Sequence, residues 1–190
     1  MTKSIPHKPV SLDEIINNHE GRCVIINCNN YGLLCLGTGL DSVGDVIAEV
    51  YETNDYDKWM KDRKCIWYIS EAKEGYYLKN ERDPGKEFYL FRGADLDPQG
   101  DYTIYGESEW HNDRKSRTEF DIWKKAVEHS QDAHPVPISY FIKVSDDTSY
   151  GREYYLKSGV AKDRWDTHQV YASPTQTNDE RDEWFLFPVP

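Results

Sequence analysis

Two parts of the chain bring aromatic rings together with carboxylates and amides. The first is YGESEWHND, residues 105–113, which supplies Tyr105, Glu107, Trp110, His111 and Asn112, with Asp95 and Asp97 in the loop before it. The second consists of Trp165, Asp166, Tyr171, Asn178 and Asp179. An aromatic face covers the apolar side of a sugar ring, and carboxylates or amides accept its vicinal hydroxyls, so both sets carry the chemistry of a shallow carbohydrate pocket. The first set is the fuller one. Loops of an acidic protein are rich in such residues in any case, which is the competing structural explanation.

Other chemistry is poorly represented. Cys23, Cys28, Cys35 and Cys65 all lie in the first third of the chain and contain no C-x-x-C pair, so zinc is not expected and structural thiols are. The six histidines share no ligand spacing, and no metal or other cofactor is expected. Asp146-Asp147 and Asp179-Glu180 have no apolar neighbourhood to raise a carboxyl pKa for acid catalysis. No G-x-S-x-G elbow or phosphate-cradling glycine loop occurs. The expectation is a protein that is not an enzyme.

A formal net charge of -11 opposes binding to a phosphate backbone, which sets nucleic acid aside as a partner. No run is apolar or long enough to span a bilayer, and the N-terminus has no apolar signal segment. Clustered cysteines and no signal lead to an expectation of reduced thiols and a cytoplasmic location, with secretion as the alternative if a signal has been removed.

The elements that must position these residues follow from pattern. Ser11 opens S-L-D-E, a helix-capping arrangement with Glu14, and predicts a short helix over residues 12–18 with Leu12, Ile15 and Ile16 on one face. From Gly21 onward, short β-branched and aromatic runs alternate with Asn, Asp, Gly and Pro. Aromatics make up 14% of the chain, including 14 Tyr and 6 Trp, and that favours strands over a helical bundle.

Three stretches repeat one grammar of strand, polar turn, strand and Gly: VIINCNNYGLLCLGTG, YYLKNERDPGKEFYLFRGA and YFIKVSDDTSYGREYYLKSGVA. They align Leu36, Leu90 and Leu156, followed three residues later by Gly39, Gly93 and Gly159 and fifteen residues later by Tyr51, Tyr105 and Tyr171. Each unit then reaches a tryptophan, namely Trp67, Trp123 or Trp184. Ile26, Leu78 and Ile142 are expected to open the units pointing inward, and the three tryptophans to act as core plugs. Around Trp123 the spacing of Phe120, Trp123 and Val127 is helical, whereas the repeat requires a strand; the strand is preferred for Trp123, with a helical turn from Lys125 to Ser130 after it.

Four strands repeated three times is the pattern of a β-trefoil, and the chain resembles that superfamily from about Gly21 to Pro190. The predicted fold class is therefore all-β: a β-trefoil with three four-strand repeats and a short N-terminal helix. The division is 1–20 as an N-terminal segment and 21–190 as one trefoil domain, with repeats at about 21–72, 73–130 and 138–190. VYASPTQTNDERDEWFLFPV is similar to the last repeat of ricin-B-type lectin domains and of related receptor-binding modules of insecticidal toxins, and more weakly to the trefoil domain of insect haemolymph lipoproteins. The Gln-x-Trp signature of those lectins is replaced by Cys65-Ile66-Trp67, Asp121-Ile122-Trp123 and Asp182-Glu183-Trp184. The resemblance implies a lectin-like recognition or defence protein whose partner is a glycan or glycoprotein. Two alternatives come with it. One is a protease inhibitor acting through a protruding loop, at 81–87 or 173–179, and the other is a module for a protein or lipid partner.

Overall fold

A computed structural model describes residues 8–40, 45–53, 55–108, 117–125, 138–144, 153–163, 166–174 and 180–189. Helix α1 (Leu12–Asn18) starts where the capping signal lies, with the Glu14 amide donating to Ser11 Oγ at 3.1 Å. Leu12 and Ile15 are buried in the main core, and α1 packs on the first, fourth and last strands.

Twelve strands follow among the described residues. The first unit contributes β1 (Arg22–Asn27), β2 (Leu33–Leu40), β3 (Val46–Tyr51) and β4 (Trp67–Glu71). The second contributes β5 (Tyr76–Asn80), β6 (Phe88–Leu96), β7 (Tyr102–Glu107) and β8 (Phe120–Lys124). The third contributes β9 (Tyr140–Val144), β10 (Tyr155–Lys162), β11 (His168–Ser173) and β12 (Glu183–Pro188). The pairings β1–β4, β4–β5, β5–β8, β8–β9, β9–β12 and β12–β1 close a six-stranded antiparallel ring. Hairpins β2–β3, β6–β7 and β10–β11 cap it, and β3, β7 and β11 pair with one another around the pseudo-three-fold axis. This is a β-trefoil. Ring closure matters physically because no single unit can bury its apolar face alone. No helix among the described residues is long and apolar enough to cross a membrane.

The structure corrects four expectations, three of them through strand register. Trp67 lies opposite Asn80 and Trp184 opposite Asn27, but the residue opposite Val144 is Phe120. Phe120 is therefore the plug of the second unit, while Trp123 stands 57% exposed on the outer wall. The strand at Phe120–Lys124 is the one the repeat required, and 126–130 lie outside the described residues. Second, Leu78 and Ile142 point into the main core, as does Ile25; Ile26 points the other way, because neighbours on a strand face opposite sides.

Third, Leu34 rather than Leu36 matches Leu90 and Leu156, which shifts the matching glycine to Gly37 and the matching outer position to Glu49. Tyr105 and Tyr171 lie over Gly93 and Gly159, so that a Cβ on either glycine would come within 3.1 Å of the ring; Glu49 lies over Gly37 in the same way. Fourth, the cysteines are not all reduced. Cys35 and Cys65 form a disulfide, while Cys23 and Cys28 are free and buried.

That disulfide holds a second hydrophobic cluster. Between β3 and β4 the chain makes α2 (Tyr56–Trp59) and a 3-10 turn at Arg63–Cys65. Tyr56, Met60, Cys65 and Ile66 from this segment cover the outward side chains Val24, Ile26 and Leu33 of the first unit.

Candidate functional site

Of the described candidate residues, Asp97 and Asp166 lie in turns, whereas Asp95, Tyr105, Glu107 and Tyr171 lie on strands. Asp97 Oδ1 accepts from the amides of Gln99 and Asp101, both at 2.9 Å, and so closes the β6–β7 turn. Asp95 is exposed beside it. Tyr105 packs against Phe91 with ring centroids 5.5 Å apart, and Glu107 is buried opposite Tyr89. Asp166 sits in the left-handed region at φ 61° and pairs with Lys162 at 3.1 Å. Tyr171 donates to Gln169 Oε1 at 3.0 Å; burial first, then the charges of Asp97 and Asp101, hold its phenol above the usual range. Strand pairing places Tyr171 of the third unit opposite Thr103 of the second. Trp110, His111, Asn112, Trp165, Asn178 and Asp179 lie outside the described residues.

A different group forms a complete constellation. On the outer wall of the second unit, Lys79 of β5 lies opposite Tyr89 of β6, with its ammonium 5.2 Å from the ring centroid. Glu87 accepts from the Tyr89 hydroxyl at 2.9 Å and sits 3.6 Å from Lys79 Nζ. Tyr77 meets Tyr89 edge to face at 6.1 Å and donates to Glu119 at 2.9 Å. Burial, then the Glu119 bond, pushes the Tyr77 phenol up to about 12, so this hydroxyl remains a donor throughout the neutral range.

Strand alternation explains the placement. Leu78 and Asn80 point inward while Tyr77 and Lys79 point out, and Asn80 fixes the strand end by donating to the carbonyls of Lys64 and Ile66 at 2.9 and 3.0 Å. A cleft of about 570 Å³ opens at this point, with Lys79, Glu81, Glu87, Arg63 and Tyr68 among its lining residues. Its wall is held by Glu81, which accepts from the Tyr68 hydroxyl and from Arg22 Nε at 3.2 Å. Burial works against the Glu81 charge, but those bonds outweigh it and keep the carboxyl below its usual range. The volume suits a small polar ligand.

Chemically, the cleft offers the Lys79 ammonium, the Glu87 carboxylate and the Tyr68 ring, and Tyr89 adjoins it through its contacts with Lys79 and Glu87. Loop composition drew attention to 105–113, whereas the signal for this cleft lay in the aligned repeats: Tyr77-x-Lys79 followed by Glu87-x-Tyr89.

No known family's sequence profile matches the chain. No characterised protein sequence matches it either. Solved structures do. An SDF2-like protein from Arabidopsis thaliana superposes with TM-score 0.60 at 11% identity, covering 87% of this chain and 91% of that one. The cytolethal distending toxin from Actinobacillus actinomycetemcomitans matches at 0.55 and 15%, over 91% and 94%. SeviL bound to asialo-GM1 saccharide matches at 0.50 and 17%, over 90% and 98%. At these identities the likeness is one of fold, a β-trefoil shared with lectin and toxin proteins.

Proposed function

We propose that the protein is a non-enzymatic glycan-binding module and that the cleft between β4, β5 and the loop leading into β6 is its binding site. One observation carries the reading: Lys79, Glu87 and Tyr89 form a pre-assembled donor, acceptor and ring face beside a cleft of about 570 Å³. A lysine and a carboxylate 3.6 Å apart match the spacing of neighbouring sugar hydroxyls, and tyrosine covers the apolar face of a pyranose. Only modest reorganisation is needed, because the side chains already hold one another. SeviL, which has the same fold, is seen with a saccharide. The Cys35–Cys65 bridge supports an oxidising compartment, in preference to the cytoplasm, as the place where this binding occurs.

A second reading uses the hairpin cap, where β7 and β11 pair and Tyr171 of the third unit lies opposite Thr103 of the second; it rests on the same sugar chemistry. The test is a glycan array of neutral and anionic oligosaccharides, probed with the wild type, Lys79→Ala and Asp97→Asn. Selective binding lost in Lys79→Ala supports the β5–β6 cleft, and loss only in Asp97→Asn moves the site to the cap. A blank array for the folded wild type rules out glycan binding and leaves a protein partner, as for a receptor-binding module.

A further inference from the structure

The constellation of the second unit occurs again one unit later. Strand register makes the equivalence explicit, because Lys143 of β9 lies opposite Tyr155 of β10 just as Lys79 lies opposite Tyr89. Glu153 accepts from the Tyr155 hydroxyl and sits 3.0 Å from Lys143 Nζ. Phe141 meets Tyr155 edge to face at 6.0 Å, in the place that Tyr77 holds against Tyr89. Glu153 is exposed to nearly the degree of Glu87, 61% against 66%, while Lys143 is more buried than Lys79, 14% against 28%. Lys143 also pairs with Asp121 of β8 at 3.5 Å, at the position that Tyr68 of β4 holds opposite Lys79.

Two differences are informative. Trp123 stands where the second unit has Ser70, and its ring lies 5.0 Å under the Lys143 ammonium, so the third unit adds a large exposed face. In the first unit the equivalent positions are Val24, Ile26 and Leu33, and the chain's own α2 segment covers them. That position is apolar and closed, and the Cys35–Cys65 bridge holds the cover in place.

We propose that the third unit carries a second saccharide site built on Lys143, Glu153, Tyr155 and Trp123, and that the protein therefore has two open sites rather than three or one. The proposal rests on the glycan reading of the second unit and extends it to a valence. Two sites on one rigid body bind a dense glycan surface with avidity of roughly 10²–10⁴ over a single site where geometry allows both to engage.

The experiment compares the wild type with Lys79→Ala, Lys143→Ala, Trp123→Ser and the Lys79→Ala/Lys143→Ala pair on the same array. Soluble titration of the strongest array hit then gives the number of sites per chain. Trp123→Ser copies the second unit at an exposed position, which guards against a Lys143 variant that fails to fold. Two sites per chain in the wild type, one in each lysine variant, none in the pair, and weakened binding in Trp123→Ser are the expected results. One site per chain, with Lys143→Ala and Trp123→Ser binding like the wild type, overturns the second site and leaves the first. A blank array for the folded wild type overturns the glycan reading and this proposal together.

Discussion

The indole of Trp184 donates to the carbonyl of Leu156 at 3.0 Å, a bond that spans the ring and the cap of the third unit. Trp67 makes the same bond to Leu34 at 2.7 Å in the first unit, and Phe120 has no N–H with which to repeat it in the second. Trp184→Phe should keep most of the packing while leaving a buried carbonyl unsatisfied, a cost of about 1–3 kcal/mol. Urea unfolding measures this as a lower midpoint with unchanged slope.

The Cys35–Cys65 bridge closes a loop of sequence separation 30 around the α2 segment. Chain-entropy arithmetic for a loop of that length gives about 3–4 kcal/mol. Cys65→Ala should lower stability by an amount of that order, and the mild reductant that has no effect on Cys65→Ala should reproduce the loss in the wild type. Thermal melts with and without reductant check both statements.

Glu49 is 6% exposed, and burial, followed by the nearby Asp163, raises its carboxyl pKa above the usual range. The folded state therefore binds this proton more tightly than the unfolded chain does. Its contribution is fully present below the unfolded value of about 4.3 and is lost as pH rises through the folded value. Glu49→Gln should remove that pH-dependent loss and stabilise the protein at pH 7, measured as a Tm difference that shrinks as the solution is acidified below pH 4.

Asn80 and Asn27 are paired in role, since each donates its amide to two carbonyls at the end of a ring strand. Val144 holds the third equivalent position without such bonds. Asn80→Val should strand the carbonyl of Lys64 and the amide of Arg82, while the Ile66 carbonyl keeps the Glu81 amide, costing about 2–4 kcal/mol. Hydrogen exchange at Arg82 should speed up more than exchange in β12, which separates local loosening from global loss.

The repeat was legible in the sequence because strands of the ring carry one inward apolar residue in every two, and hairpin glycines punctuate them. Its phase was less legible. A residue count aligned Leu36 with Leu90, yet Cys35 pairs with Glu49 as Phe91 does with Tyr105, which places Leu34 at that level. The α2 segment lies in the connection from β3 to β4 and carries no strand signal, and Phe120 took the place expected of Trp123 because composition alone favoured the larger ring. The Lys79 and Lys143 constellations were present in the aligned repeats as Lys followed by Glu-x-Tyr. They were overlooked because Lys and Glu on an acidic chain are ordinary surface residues until strand pairing places them against a ring.

The ring is closed by its two most distant strands, β1 at Arg22–Asn27 and β12 at Glu183–Pro188. During synthesis at about 5–20 residues per second, β1 leaves the ribosome roughly ten to thirty seconds before β12 exists. Val24, Ile25 and Ile26 must wait through that interval with one edge of their strand unpaired, and the α1 helix waits too, because the Val10 amide bonds to Leu186. A chain that ends before β12 thus leaves the β12-facing edge of β1 unpaired, an edge open to another strand.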